Sequence, residues 1–404
     1  MKLEGYTQFG GHHRETAAVQ HVLAHQGVTA PHTGQPFTES MLLGIGGGIG
    51  FVYFVFEFTS PDFFYQGVFF SLSARYHDHL IPPLCERLGL PRDTRETGSA
   101  RKAVANITGP LERGVPVIAW ADRLHLPYYR LSPRLVKWAP PVPVVVYGYD
   151  EDGGAAYLAE ISERPLTVPL DAFAQARSAQ SYIKNRTVVI EPPPAPPDLP
   201  AAIRAGIRAC WQALLEPRIR NLGVPGLEKW AALLVNPRDA KGWPRAFPPG
   251  ARMYDGLRAI YEALAVDDTP GQGFRAMYAD FLDEASGVVN EPELSDVAEH
   301  YRECAALWQA LAEAALPESI PAFAETRDLL HRRRDLLVAQ GEAAGDEIAA
   351  INERLHALSG EMDAAFPLSD AEAQSLRENL HDHIERLYEA ESAAAHALKG
   401  AVPA

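Results

Sequence analysis

Pro143-Val-Val-Val-Tyr-Gly-Tyr-Asp150, followed after four turn-forming residues by Ala155-Ala-Tyr-Leu-Ala-Glu160, is the most legible part of this 404-residue chain. β-Branched and aromatic residues at this density, bounded by Pro, Gly and Asp, predict two strands joined by a tight connection. Runs of the same texture lie at Phe51–Phe58, Pro116–Trp120 and Thr187–Ile190. Between them Glu15–Gln26, His79–Leu88 and Ser99–Arg113 carry helical patterns. The first half reads as α+β.

Glu191-Pro-Pro-Pro-Ala-Pro-Pro-Asp-Leu-Pro200 ends this texture with six prolines in ten residues. Such a run neither pairs in a sheet centre nor continues a helix, and it predicts an extended, semi-rigid linker. Beyond it a helical period takes over: Ile203, Ile207, Trp211 and Leu214, then Leu294, Val297, Tyr301, Cys304, Trp308 and Leu311. Two last stripes, Ile348–Met362 and Leu376–Leu398, flank Phe366-Pro367 and suggest an antiparallel helical hairpin. The expected organisation is a domain at 1–190, a Pro-rich linker at 191–200 and an all-α domain at 201–404.

With 37 Lys+Arg against 52 Asp+Glu, the chain carries a formal charge of −15. That charge repels phosphate backbones and anionic headgroups, which argues against nucleic-acid and membrane partners. No apolar core follows Lys2, and no stretch of about 18 apolar residues occurs, so neither a signal peptide nor a membrane span is expected. Cys85, Cys210 and Cys304 have neither paired nor metal-ligand spacing and read as buried thiols of a cytoplasmic protein.

Four clusters have an ordinary structural reading beside a functional one. Gly44-Ile-Gly-Gly-Gly-Ile-Gly50 lacks the Lys-Ser/Thr and the strand-then-helix order of a phosphate loop, and reads as a turn where backbones pack closely. His12-His13 and His77-Asp78-His79 have the wrong spacing to chelate from one helix face, so no metal and no cofactor are expected. Phe51–Phe70 holds ten aromatics in twenty residues. It is either a buried strand with its packing layer or the wall of an apolar groove. Arg332-Arg333-Arg334, among acids, reads as a solvated helix face.

The order of residues in the first half carries more. Gln8 precedes Arg14 by six positions, Arg14 opens a helical stretch, and the strand pair ends on Glu160. This is the outline of a papain-like (cysteine-peptidase-like) α+β domain. There a glutamine supplies an oxyanion donor, a helix start carries the nucleophile, and a later strand pair brings the base and its orienting acid.

Several motifs also resemble the butirosin biosynthesis protein H family. They are Gly11-His-His-Arg-Glu-Thr-Ala17, Thr38-Glu-Ser-Met-Leu-Leu-Gly-Ile-Gly-Gly-Gly-Ile-Gly-Phe51, Trp120-Ala-Asp122 with Pro127-Tyr128, and the Val-Tyr-Gly-Tyr-Asp strand. Gly271-Gln-Gly-Phe-Arg-Ala-Met-Tyr-Ala-Asp-Phe-Leu-Asp-Glu284 resembles the domain of unknown function that commonly follows. The resemblance covers roughly 3–315 and implies a papain-like fold. It also implies acyl transfer in natural-product biosynthesis, from a carrier-protein thioester to an amine.

The chain departs from that family where the chemistry would sit. Members usually read His-Cys-Glu-Thr; here the segment is His13-Arg14-Glu15-Thr16. The usual strand His corresponds to Val142, and the usual Asp to Glu160. Arg is no nucleophile and Val moves no proton, so no catalytic set is intact. Two explanations stay open: acyl transfer by direct aminolysis without a cysteine intermediate, or a catalytically inactive binding or scaffold subunit. A peptidase or amidase ranks third. On the first, the substrate-binding residues are His13, Arg14, Glu15, Asp122 and Tyr128, with Gln8 as oxyanion donor and Arg14 free to clamp a carboxylate or phosphate. The partners implied are an acyl carrier protein, a small amine, or a second copy of the chain.

Overall fold

The computed structural model describes residues 1–60, 63–71, 80–132, 135–136, 139–267 and 273–403; at 58–60, 63–66, 68–71 and 267 it describes backbone alone. His77-Asp78-His79 and part of the Gly271–Glu284 motif lie outside these residues. The strands are β1 (Val52–Ser60), β2 (Phe63–Ser71), β3 (Arg92–Arg95), β4 (Val117–Asp122), β5 (Pro141–Asp150), β6 (Ala155–Ala159), β7 (Leu166–Pro169) and β8 (Thr187–Ile190). The helices of the first half are α1 (Arg14–His25), α2 (Glu39–Gly46), α3 (Ile81–Arg87), α4 (Ala100–Glu112) and α5 (Leu170–Ser178). Those after the prolines are α6 (Leu199–Leu215), α7 (Gly223–Val235), α8 (Trp243–Ala246), α9 (Ala251–Tyr261), α10 (Arg275–Val289), α11 (Glu293–Ala315), α12 (Pro321–Gln340), α13 (Gly345–Ala364) and α14 (Asp370–Ala401). Among the described residues no helix is long and apolar enough to cross a membrane.

The chain forms two compact units that interleave along the sequence. The first comprises Met1–Leu42, Leu80–Ala202 and Arg332–Glu353; the second comprises Leu43–His79, Ile203–His331 and Arg354–Ala404. The contiguous division expected at 191–200 differs from this in two places. Residues 43–79 group with the helices because Phe51 and Tyr53 stack on Trp230, at ring separations of 5.9 and 5.5 Å. Residues 332–353 group with the sheet because Val338 O accepts from Glu163 N–H at 2.8 Å and Glu342 accepts from Thr167 N–H at 3.2 Å.

The first unit is built on an antiparallel sheet of order β3-β8-β4-β5-β6-β7. β5 is its spine, and Val144, Val145 and Val146 are fully buried. A strand covered on both faces carries a continuous apolar run rather than alternation, which is why this stretch was so legible. Pro141 and Pro143 pair with Asp122 and Trp120 of β4, whereas the β6 pairing begins only at Val145. Both prolines thus sit where β5 has one partner, and their missing N–H groups cost no ladder bond. α1 lies on β5 and buries Ala17, Ala18, Val19, Val22 and Leu23. Each fully buried Val or Leu stabilises by about 1.5–3 kcal/mol, so this face holds α1 firmly over the sheet.

The second unit is helical apart from the antiparallel β1–β2 pair. At Gly44 an added Cβ would stand 2.2 Å from the Phe281 ring, and at Gly206 2.3 Å from Gly44 O. The glycine cluster therefore permits close backbone approach, as expected. The aromatic run is core at its described start: Phe51, Val52, Tyr53 and Val55 are buried, and Tyr53 Oη accepts from Trp243 Nε1 at 3.0 Å. The expected terminal hairpin is not formed, since α14 packs on α7 and α11 instead of α13. α14 carries an apolar stripe along 32 residues that meets the buried stripe of the 23-residue α11, while α13 divides its residues between the two units.

Candidate functional site

The mouth of α1 is shaped by two glycines. Gly10 and Gly11 have φ of +88° and +131°, and a Cβ on Gly11 would lie 2.4 Å from Ala17 Cβ. Only glycine adopts this backbone without strain and lets the loop close on the helix. His13 is the N-cap: its backbone is extended and its Nδ1 accepts from Thr16 N–H at 3.3 Å. Glu39 closes the other side, accepting from His12 N–H at 2.9 Å, His13 N–H at 3.0 Å and Thr16 Oγ1–H at 3.0 Å. An internal carboxylate thus satisfies amides just ahead of the helix, where anions are favoured.

Arg14 is the first residue of α1 and points its Nη1 at Glu160, just past the end of β6. Nη1 donates to a carboxylate oxygen of Glu160 and, at 2.7 Å, to Tyr129 Oη. Glu160 is buried and receives two further donors, Tyr128 Oη–H at 2.9 Å and Tyr129 Oη–H at 2.5 Å. Three donors from two places in the chain, the start of α1 and the Tyr128-Tyr129 pair, converge on one carboxylate. The β5–β6 register pairs Val145 with Ala159. Continued by one residue, it sets Glu160 opposite Val144 and puts Val142 on the same sheet face, one alternation further along.

Of the residues singled out from sequence, Arg14, Glu160 and Tyr128 therefore meet directly, while Val142 is buried in β5 opposite Ala121. His13 supports Arg14 as its cap. Gln8 instead bonds its neighbour, Nε2 donating to Thr7 Oγ1 at 3.1 Å. Glu15 turns away along the helix and accepts from Leu80 N–H at 3.1 Å; burial raises its pKa. Asp122 is buried and structural, capping a short turn through Leu124 N–H at 2.9 Å and accepting from Gln180 Nε2 at 2.6 Å. Sequence reasoning missed Tyr129 and Glu39. Tyr129 was next to a named residue, whereas Glu39 carries no local signal because its partners lie 23–27 positions away.

Burial raises the Tyr128 hydroxyl well above its usual pKa, so it stays a donor to Glu160. The three cysteines are buried and free, and burial pushes the Cys85 thiol up to about 12 and raises Cys304 as well. A thiolate is disfavoured at both, the opposite of an activated nucleophile. Among the described residues, no three His, Cys, Asp or Glu side chains converge as metal ligands.

Two buried histidines, the N-cap His13 and His21 within α1, are expected to make the first unit acid-labile. Burial, and secondarily the Arg14 charge, lowers His13 to about 4. Burial also lowers His21 to about 4, against a hydrogen bond with the Gly10 backbone. Protons bind the unfolded histidines first, near pH 6.5, so stability is complete above that pH and falls until about pH 4. Denaturant midpoints should drop steadily over this window. His13→Asn keeps a capping acceptor without a proton to bind, and paired with His21→Gln it should flatten the slope.

The model of Butirosin biosynthesis protein H, N-terminal, matches residues 13–160, and that of Domain of unknown function (DUF4872) matches residues 171–336. No curated protein matches the chain.

Proposed function

We propose that this chain, with the domain layout of the butirosin biosynthesis protein H family, is a member without covalent catalysis that serves a biosynthetic pathway by binding. The carrying observation is Arg14, which stands where the family's cysteine is expected and is tied to Glu160 and Tyr129. A nucleophile needs a lone pair, a neighbouring base and open access. Here the side chain is a permanent cation, Val142 replaces the base, and the acid is engaged by Arg14 and two tyrosines. We read the first unit as papain-like on the same grounds: helix start, central strand and following acid come together in the order that fold requires.

The full chain, incubated with acyl-pantetheine or carrier-bound thioesters and a panel of amines, should form neither acyl-protein nor amide above the uncatalysed background. Amide formation dependent on the protein would overturn the reading. The papain-like alignment has its own check. In an Arg14→Cys/Val142→His/Glu160→Gln variant, the new thiol should react with iodoacetamide at neutral pH at least about tenfold faster than in the same variant retaining Val142. A nearby imidazole lowers a thiol's pKa and raises its thiolate fraction. Equal rates in two folded proteins would mean that positions 14 and 142 do not face one another.

A further inference from the structure

We propose that the outward edge of Arg14, with Arg123 against the same tyrosine ring, is a recognition site for a small carboxylate. The inference deepens the binding reading above and rests on Arg14 being non-catalytic. Arg14 uses only Nη1 in its bonds to Glu160 and Tyr129; among the described residues, Nε and Nη2 make no hydrogen bond. The side chain keeps 19% of its surface in solvent, whereas Glu160 keeps 1%. A guanidinium edge of this kind presents two parallel N–H groups that match the two oxygens of a carboxylate.

The fork is also held in place. Glu160 and Tyr129 anchor its inner nitrogen, and the Tyr129 ring lies 5.9 Å from the guanidinium carbon. A donor pair fixed in advance loses little freedom when a ligand arrives. Arg123 approaches the same ring, its guanidinium carbon also 5.9 Å from the centroid. Its backbone is set by the turn that Asp122 caps and Gln180 steadies. Two guanidiniums thus face one buried tyrosine ring, with the Glu160 carboxylate engaged by Arg14 beneath it, in a chain of net charge −15. An anion drawn to this molecule must find such a place, because the overall field repels it.

The amine-bearing or neutral part of the ligand is left open by this geometry; the carboxylate is what the fork selects. Phosphate shares the chemistry and serves as the comparison. Propionate and inorganic phosphate, titrated separately into the full chain at low ionic strength, are the probes, with chloride as the screening control. Propionate should bind saturably. Arg14→Lys keeps a charge for Glu160 but loses the fork, and should weaken binding at least tenfold. Arg123→Gln leaves the Arg14–Glu160–Tyr129 bonds in place and should weaken it severalfold with an unchanged unliganded unfolding temperature. No saturable binding, or binding indifferent to both variants, overturns the inference. Phosphate bound and propionate ignored overturns the carboxylate assignment. A chain that forms amides yet binds propionate through Arg14 sinks the non-catalytic reading and leaves this site standing.

Discussion

Arg14→Ala is expected to destabilise the sheet-containing unit by about 3–5 kcal/mol, the usual loss when one partner of a buried ion pair is removed. Glu160 is the reason. Its side chain is 1% exposed, so once the guanidinium is gone its charge rests on two tyrosine hydroxyls alone. A buried carboxylate in that state either stays charged at a large desolvation cost or takes up a proton. The unfolding temperature should fall by roughly 10 °C. Replacing both partners, Arg14→Met with Glu160→Gln, should recover much of the loss, because the pair's attraction largely offsets the cost of burying it. Tyr129→Phe, which removes one hydroxyl between the two, should cost about 1–2 kcal/mol. Thermal unfolding of the three variants decides the matter. An Arg14→Ala protein that melts like the parent would mean the guanidinium spends its time in solvent and does not neutralise Glu160.

β5 was legible because burial on both faces writes a continuous Val- and Tyr-rich run, and β6 because it follows β5 directly across a short Asp- and Gly-bearing turn. α1 was legible because its apolar positions recur at helical spacing over a fixed cap. β3, Arg92-Asp-Thr-Arg95, was not: it is an exposed edge strand whose charged residues carry no apolar pattern, and charge is what keeps such an edge from pairing with another chain. β2 lies in the same aromatic run as β1, and the only sequence signal that divides the two is the turn-forming Ser60-Pro61-Asp62. The interleaved units were equally hidden. A proline run marks where the chain is stiff and irregular; which segments share a core depends on partners hundreds of positions apart, such as Phe51 and Trp308. At the candidate site, Arg14 and Glu160 were named from their place in a motif. Tyr129 emerged only when the fold brought its hydroxyl between them.

A second buried ion pair, in the helical unit, gives the other large expected effect. Arg275 and Glu391 are 0% and 1% exposed, closer to complete burial than the pair at α1. Among the described residues the Arg275 guanidinium donates from Nε to Glu391 Oε1 at 2.6 Å, from Nη1 to Gly273 O at 2.9 Å and from Nη2 to Gly50 O at 3.0 Å. Trp308 Nε1 donates to the same Glu391 oxygen at 2.7 Å, and Trp308 lies under the guanidinium at 5.2 Å. One side chain thereby ties the end of the glycine cluster, the start of α10, α11 and α14 together. Arg275→Ala removes every one of these donors, strands a fully buried carboxylate and opens a cavity, so about 3–5 kcal/mol is the expected loss. Arg275→Lys should restore little of it. An ammonium is a compact donor on a flexible stem, and it cannot address three acceptors that a planar fork reaches in fixed directions. Trp308→Phe keeps most of the ring packing and removes one donor to a charged oxygen, which sets its cost near 1–3 kcal/mol. Four of the chain's six tryptophans, Trp211, Trp230, Trp243 and Trp308, belong to this unit, so urea unfolding followed by tryptophan fluorescence reports mainly on it. If lysine proves as good as arginine at position 275, the geometry of the fork is irrelevant there and charge alone is being conserved.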